Sequence, residues 1–273
     1  MNRRRFDISG KVAVLTGAGG ILIREMARAL GSAGVKVALL NRTGAKAEAL
    51  AREIMDAGGV ALPIEANVLD RHQLQQAHAT IHKALGPVDI LINGAGGNLP
   101  AATTSTTQTF FDLPAEAMRQ VFDLNLMGSI LPIQVFGRDF AESKSGVIVN
   151  ISSASAIRPL TKVATYGSAK AAIENLTKWL AVHMAREYGP DIRVNALCPG
   201  FIETAQNRFL LRDAATGDLS ARGHDIIAHT PAGRFGAAED LIGTLLWLVS
   251  PASAFVTGTV VVVDGGFSAF SGV

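Results

Sequence analysis

Val12-Ala13-Val14-Leu15-Thr16-Gly17-Ala18-Gly19-Gly20 joins four apolar residues to a glycine-rich turn, and residues 24–33 beyond it repeat their apolar positions at helical spacing. A run that is apolar at every position, rather than at every second one, suits a strand covered on both faces. A glycine-rich turn between such a strand and a helix lets the backbone bend sharply and approach a phosphate, whose charge then meets the helix N-terminus. Any tight strand-to-helix connection also needs such a turn, so its chemistry rests on what accompanies it.

The alternation continues along the chain. Apolar runs recur at 35–40, 60–64, 90–92, 147–151, 194–197 and 260–263, separated by helix-period segments at 45–57, 71–85, 115–139, 166–188 and 238–248. Seven strands alternating with helices predict a Rossmann-type, doubly wound α/β fold. It has a seven-stranded parallel sheet, helices on both faces and binding crevices at the carboxyl ends of the strands. No internal repeat and no linker rich in proline, glycine or charge divides the 273 residues, which read as one domain. Two connections exceed what the fold needs: 94–113, threonine-rich, and 200–236, which carries Arg208, Arg212, Arg222, His224 and His229. Both leave the carboxyl ends of strands and are expected to overhang the crevice, the second as a substrate-loop insertion.

Composition narrows the function classes. Apolar residues make up 48% of the chain and charged residues 18%, which favours a large core over a charge-driven binder. A net charge of +2 without a basic cluster gives no support to a nucleic-acid partner. No apolar run reaches membrane-spanning length. Cys198 is the single cysteine, so no intrachain disulfide forms, in keeping with a reducing compartment. The start, Met1-Asn2-Arg3-Arg4-Arg5-Phe6-Asp7, has a superficial likeness to a twin-arginine export signal. The apolar run that follows ends in Thr16-Gly17 and reads as the first strand, so the expected location is cytoplasmic.

Candidate chemistry centres on Tyr166-Gly167-Ser168-Ala169-Lys170 at the start of a helix-period segment. Residues four apart share a helix face, so phenol and ammonium can reach one reacting centre. A neighbouring cation is expected to lower the tyrosine pKa from its ordinary value of about 10. Ser153 closes the apolar run 147–151, and Asn125 sits among apolar neighbours in Phe122-Asp123-Leu124-Asn125-Leu126, where a buried amide needs a specific partner. At the end of the run 35–40 stands Asn41-Arg42, where an NAD site places an acid for the ribose hydroxyls. A guanidinium suits the additional phosphate of NADP, so NADP(H) is the favoured cofactor and NAD(H) the alternative.

Thr16-Gly17, Asn93-Gly94-Ala95-Gly96, Asn125, Ser153, Tyr166 with Lys170, Pro199-Gly200 and Val263-Asp264-Gly265-Gly266 follow in the order and spacing of one family. From Gly10 to about Phe267 the chain resembles the short-chain dehydrogenases/reductases. The resemblance implies an NAD(P)-dependent oxidoreductase acting on a secondary alcohol or ketone, with no metal. Tyr166 would be the general acid/base, Ser153 would orient the substrate oxygen, and Lys170 would hold the nicotinamide ribose and lower the Tyr166 pKa. Asn125 would position a water that links Lys170 to solvent. Thr16, Gly17, Gly19, Gly20 and Ile21 would form the cofactor loop, with Asn41, Arg42, Asn67, Val68, Asn93, Gly94, Ala95 and Gly96 on the adenosine side. Pro199, Gly200, Ile202 and Thr204 would flank the nicotinamide. The family's habit of pairing helices across subunits implies a homodimer or homotetramer.

The family loop reads Thr-Gly-x-x-x-Gly-x-Gly, and its last two glycine positions are occupied here by Ile21 and Ile23. Ile21 would bring a branched side chain near the pyrophosphate, and Ile23 would crowd the contact between helix and sheet. Asn67 replaces an aspartate near the adenine. These departures motivate a rival reading, a non-catalytic protein that keeps the fold for binding or assembly.

A narrower resemblance lies in Asn93-Gly94-Ala95-Gly96-Gly97-Asn98, Phe110-Phe111-Asp112-Leu113, Arg158-Pro159-Leu160-Thr161-Lys162, Gln206-Asn207-Arg208, His229-Thr230-Pro231 and the ending from Gly265 to Val273. These stretches are similar to family members known as D-mannonate oxidoreductases, or fructuronate reductases. Such a substrate needs a cation for its carboxylate and polar groups for its hydroxyls. Asn98, Arg158, Lys162, Asn207 and Arg208 are the candidates, Arg158 foremost because its loop is tethered between Ser153 and Tyr166. Gluconate, a sugar alcohol or a ketoacyl thioester would run on the same machinery. His78 and His82, four apart without a third ligand nearby, read as a solvated helix face, and Cys198 as packing. Trp179 and the apolar stripe of 166–188 read as core or subunit interface.

Overall fold

The computed structural model describes residues 3–204, 208–213 and 216–272. Its strands are β1 (Val12–Thr16), β2 (Lys36–Asn41), β3 (Val60–Glu65), β4 (Ile90–Asn93), β5 (Ser145–Ile151), β6 (Asp191–Pro199) and β7 (Val260–Val263). They form one seven-stranded sheet in the order β3-β2-β1-β4-β5-β6-β7, and every pairing is parallel. The order reverses beside β1, between β1 and β4, which places a crevice at their carboxyl ends.

Burial follows position in the sheet. β1 and β4 are buried throughout, whereas the edge strands β3 and β7 are partly exposed along their length. The expectation of cover on both faces therefore holds for the inner strands and fails at the two edges, which lack a neighbour on one side. Successive strand residues face opposite ways. Ala13 and Leu15 enter a core with Met26, Leu30, Leu50 and Leu245, from α1 (Ile21–Ser32), α2 (Gly44–Asp56) and α10 (Ile242–Val249). Val12 and Val14 face the other core, with Leu74, Phe136, Phe140 and Leu180 from α3 (Arg71–Ala84), α5 (Gly128–Ser143) and α7 (Ala164–Glu187).

The segment 115–139, expected to be one helix, is broken. It comprises α4 (Ala115–Phe122), a π-helical turn Asp123–Met127, and α5, which continues past 139 to Ser143. The cause is local: the Asn125 side-chain Nδ2 donates to the Val121 carbonyl at 2.7 Å, occupying an acceptor that an α-helix would give to a backbone N–H. The two long connections are structured in part. The first holds two single 3₁₀ turns, Pro100–Ala102 and Phe110–Asp112. The second holds α8 (Arg208–Leu211) and α9 (Ala221–Ala228), with Leu211, Ile226 and Phe235 packed into a small core of their own. The short α6 (Ala154–Ile157) joins β5 to the loop before α7. No helix among the described residues is long and apolar enough to cross a membrane.

Candidate active site

Tyr166 lies in the first turn of α7 and Lys170 one turn further, both above the carboxyl end of β5. Ser153 follows that strand and caps α6, its Oγ accepting from the Ser155 backbone N–H (3.2 Å) and from the Ser155 hydroxyl (3.0 Å). With those acceptor positions used, the Ser153 hydrogen is free to point outward, and Ser153 is near enough to Tyr166 to favour its phenolate form. Leu99, Ala102, Ala117 and Val121 pack around the tyrosine, so the long first connection walls this corner.

The electrostatics differ from the sequence expectation. Burial pushes the Tyr166 phenol up, and the hydrogen bond from Ser153 pulls it back only in part. Lys170, 5% exposed, is pushed down to about 8 by the same desolvation. Its Nζ donates to the Ile151 carbonyl (2.8 Å) and stands 5.7 Å from the centre of the Tyr166 ring. Burial is the largest influence on the phenol and Lys170 is not among the groups that shift it, so the expected lowering of the tyrosine pKa by the cation is not seen. Asn125 is fully buried and clamps Gly97: its Oδ1 accepts from the Gly97 N–H (3.1 Å) and its Nδ2 donates to the Gly97 carbonyl (2.7 Å).

The glycine loop shows how the altered motif fits. Gly17 is left-handed (φ +74°), and a Cβ there would come within 2.8 Å of Ala95 Cα. Ile23 is buried, and a Cβ on Gly94 would lie 2.0 Å from Ile23 Cδ1. The isoleucine thus occupies the space that Gly94 leaves, and the expected crowding is relieved at the end of β4. Ile21 opens α1 and is only partly buried. The Thr16 hydroxyl accepts from Gly94 N–H and Ala95 N–H, joining the ends of β1 and β4.

Around this loop, Asn41 Oδ1 accepts from Gly19 N–H (3.1 Å) and its Nδ2 donates to the Thr43 carbonyl (2.9 Å). Asn41 is therefore a brace for the loop. Arg42 is exposed, and so is Lys46, whose stem runs beside Gly19: a Cβ there would meet Lys46 Cδ at 2.8 Å. Lys46 was not among the sequence candidates. Asn67 caps the turn before α3 by accepting from Leu69 N–H, Val68 is buried against Gly128, and Asn93 donates to Asn150 Oδ1 (2.9 Å). Pro199 ends β6, Gly200 N–H bonds Val263, Ile202 bridges to Gly236, and Thr204 is partly buried.

The substrate candidates disperse around the rim. Arg158, the foremost of them, donates from Nε to the Ser268 carbonyl (2.9 Å) and from Nη2 to the Phe270 carbonyl (3.4 Å). Its guanidinium is turned to the C-terminal segment, which it joins to the loop before α7. Arg208 lies 3.7 Å from the Glu203 carboxylate, which also takes two bonds from Arg212. Asn98 Nδ2 donates to Thr103 Oγ1. Lys162 is exposed in a left-handed conformation (φ 75°), its carbonyl accepting from Thr104 N–H. Asn207 lies outside the described residues. The reading of His78 as solvated is also corrected: it sits 2.7 Å from buried Asp139, whose other oxygen accepts from Val88 N–H.

Comparison with known proteins agrees with this geometry. A family model described as enoyl-(acyl carrier protein) reductase matches residues 20–268. An uncharacterized oxidoreductase, UxuB, of Bacillus subtilis (strain 168) is 49% identical over 98% of both chains. A crystal structure from Haemophilus influenza, provisionally named a D-mannonate oxidoreductase and holding NAD, is 44% identical with a TM-score of 0.92 over 98% of each chain. A gluconate 5-dehydrogenase from Burkholderia cenocepacia J2315, in complex with NADP and tartrate, is 32% identical with a TM-score of 0.86, covering 97% of this chain and 98% of that one. The chain belongs to the short-chain dehydrogenase/reductase family and is an oxidoreductase of alcohol and ketone groups.

Proposed function

We propose that the chain is an NADP(H)-preferring dehydrogenase/reductase of sugar acids, interconverting a ketone and a secondary alcohol on a hexonate of the D-mannonate/fructuronate kind. The observation that carries the reading is the corner where Tyr166 and the buried Lys170, 5.7 Å from its ring, stand over the end of β5 beside Ser153. The names of two relatives, D-mannonate oxidoreductase and gluconate 5-dehydrogenase, support the substrate class.

The residues present fit a nicotinamide dinucleotide. α1 begins at an uncapped Gly20 with no acid in its first turn, which leaves its positive end open to a pyrophosphate. Gly96 keeps the space beside Asn125 and Lys170 clear, since a Cβ there would lie 2.6 Å from Asn125 Oδ1 and 3.2 Å from Lys170 Nζ. Thr16, Gly17, Gly19 and Gly20 would hold the pyrophosphate, Arg42 the extra phosphate, Lys170 the ribose, and Pro199, Gly200, Ile202 and Thr204 the nicotinamide side. When bound, the nicotinamide supplies or accepts the hydride.

The chain's own part is proton management. Tyr166, a phenol whose ordinary pKa of about 10 already keeps it protonated at neutral pH and which burial raises further, gives its proton to the ketone oxygen, or takes one from the alcohol in the reverse direction. Ser153, its acceptor positions filled by Ser155, donates to the same oxygen and fixes its place. Asn125 holds Gly96 and Gly97 in position. With Arg158 committed to the C-terminal segment, Lys162 is the cation offered to the substrate carboxylate. Residues 200–236 form the substrate loop of a single domain, and exposed Trp179 and Val182 on α7, each 60% accessible, mark a homo-oligomer interface.

The test is a calorimetric titration with NADPH and NADH, followed by turnover on D-mannonate, gluconate, a sugar alcohol and a ketoacyl thioester. NADPH binds more tightly, and Arg42→Ala weakens it about tenfold without changing NADH, the loss of one charge-assisted contact. Preference for NADH removes the Arg42 argument. Binding of neither favours the non-catalytic reading, and activity confined to the thioester removes the sugar acid.

A further inference from the structure

Three hydrogen bonds, spaced along successive turns of α7, stitch that helix to the carboxyl end of β5. Lys170 Nζ donates to the Ile151 carbonyl (2.8 Å), Ser152 Oγ donates to Glu174 Oε1 (2.6 Å), and Asn150 Nδ2 donates to Thr177 Oγ1 (2.9 Å). The middle stitch is the unusual one. Glu174 is a partly buried carboxylate, and its partner is a serine hydroxyl on a residue 2% exposed. An apolar residue at 174 would leave this hydroxyl without its acceptor, whereas a charged acceptor makes a short, strong bond.

The stitch also lies where registration matters most. Tyr166 rides on α7 and Ser153 on the chain leaving β5, and Ser152 is the residue next to Ser153. Ser152 is held from behind by its N–H to the Leu197 carbonyl of β6 (2.8 Å) and from the front by Glu174. We propose that Glu174 is a positioning residue of the reaction, setting the separation of Tyr166 and Ser153 by holding Ser152 against α7. The inference rests on the reading of Tyr166 and Ser153 as the proton-transfer and orienting pair. Displacing reacting groups by about 1 Å costs on the order of 10²-fold in rate.

The experiment compares Glu174→Ala, Glu174→Gln and Ser152→Ala, with circular dichroism confirming that each is folded. Glu174→Ala lowers kcat about 10- to 100-fold with KM values little changed, Ser152→Ala does the same, and the double variant costs no more than either. Glu174→Gln restores most of the loss, because its amide oxygen still accepts from Ser152.

A second readout needs no substrate. The chain has two tyrosines, so in a Tyr188→Phe background the ultraviolet phenolate signal reports Tyr166 alone. Glu174→Ala moves that titration to higher pH, as the Ser153 hydrogen bond loosens, and Glu174→Gln leaves it in place. Unchanged kcat and titration in Glu174→Ala would overturn the proposal. So would equal losses in Ala and Gln variants with the titration moved to lower pH, the signature of charge alone. A wild-type protein silent on every substrate would fell the proposed function, and the titration would then decide this inference by itself.

Discussion

The proposed catalytic corner and the rim above it are built on different principles. In the corner, Asn125 and Lys170 are buried and Ser153 is capped, each held by partners on strands, helices or the backbone beside them. At the rim, Asn98, Arg158, Lys162 and Arg208 are exposed: Asn98 and Arg208 are held within their own loops, and Arg158 reaches the C-terminal segment. Thr104 bonds Lys162, Arg222 reaches Thr161, and Arg158 holds the C-terminal segment. A rigid corner shared by many substrates and a rim assembled from loops is how one fold carries many specificities.

The contrast breaks first if the corner proves dispensable. Tyr166→Phe is expected to lower kcat about 10²- to 10⁴-fold while leaving the unfolding midpoint in urea near that of the wild type. Unchanged turnover would deprive the corner of any privileged role. The glycine loop gives a smaller effect. Gly94→Ala sets a methyl against Ile23 and is expected to cost about 1–3 kcal/mol, whereas adding it to Ile23→Ala costs much less. Equal costs in the two backgrounds would show that Ile23 does not fill that space.

Alkaline pH separates two buried groups within the corner. Lys170 falls from 10.5 to about 8 on folding, so between those values the unfolded chain binds more protons and stability rises with pH. Cys198 rises from 9.0 to about 12, so the folded chain keeps its proton longer and stability falls across that range. Urea midpoints should therefore climb from pH 8 to 9.0 and decline above 10.5. Lys170→Met should remove the climb and Cys198→Ala should flatten the decline. The smallest effect belongs to the rim: Arg158→Ala should raise KM for the sugar acid about threefold at constant kcat, with a stability loss of about 1 kcal/mol for two exposed hydrogen bonds. An unchanged KM would detach the C-terminal segment from the substrate pocket.

The same division governs what could be read from sequence. Every strand stands within a few residues of its apolar run, and Tyr166 and Lys170 share a face because residues four apart in a helix must. What escaped depends on partners distant along the chain. The fit of Ile23 is decided by Gly94, and the role of Arg158 by the carbonyls of Ser268 and Phe270. The π-turn at Asn125 arose from a side chain competing with backbone, which periodicity does not register. Glu174 did leave a signal, standing four residues beyond Lys170 on the same helical face, and only the geometry of Ser152 gave it meaning.

The C-terminal segment also bears on how the chain should be handled at the bench. A purification tag fused behind Gly272 would hang from the very stretch that Arg158 pins at the rim, beside Phe201 and His229, whose rings meet Phe267 and Phe270. Asp7, Ile8 and Lys11 instead gather with Asp89, Ser145 and Asp191 at the amino ends of the strands, at the opposite end of the sheet from Tyr166. A fluorescent reporter carried near Asp7 therefore sits farther from Tyr166 than one carried near Ser268.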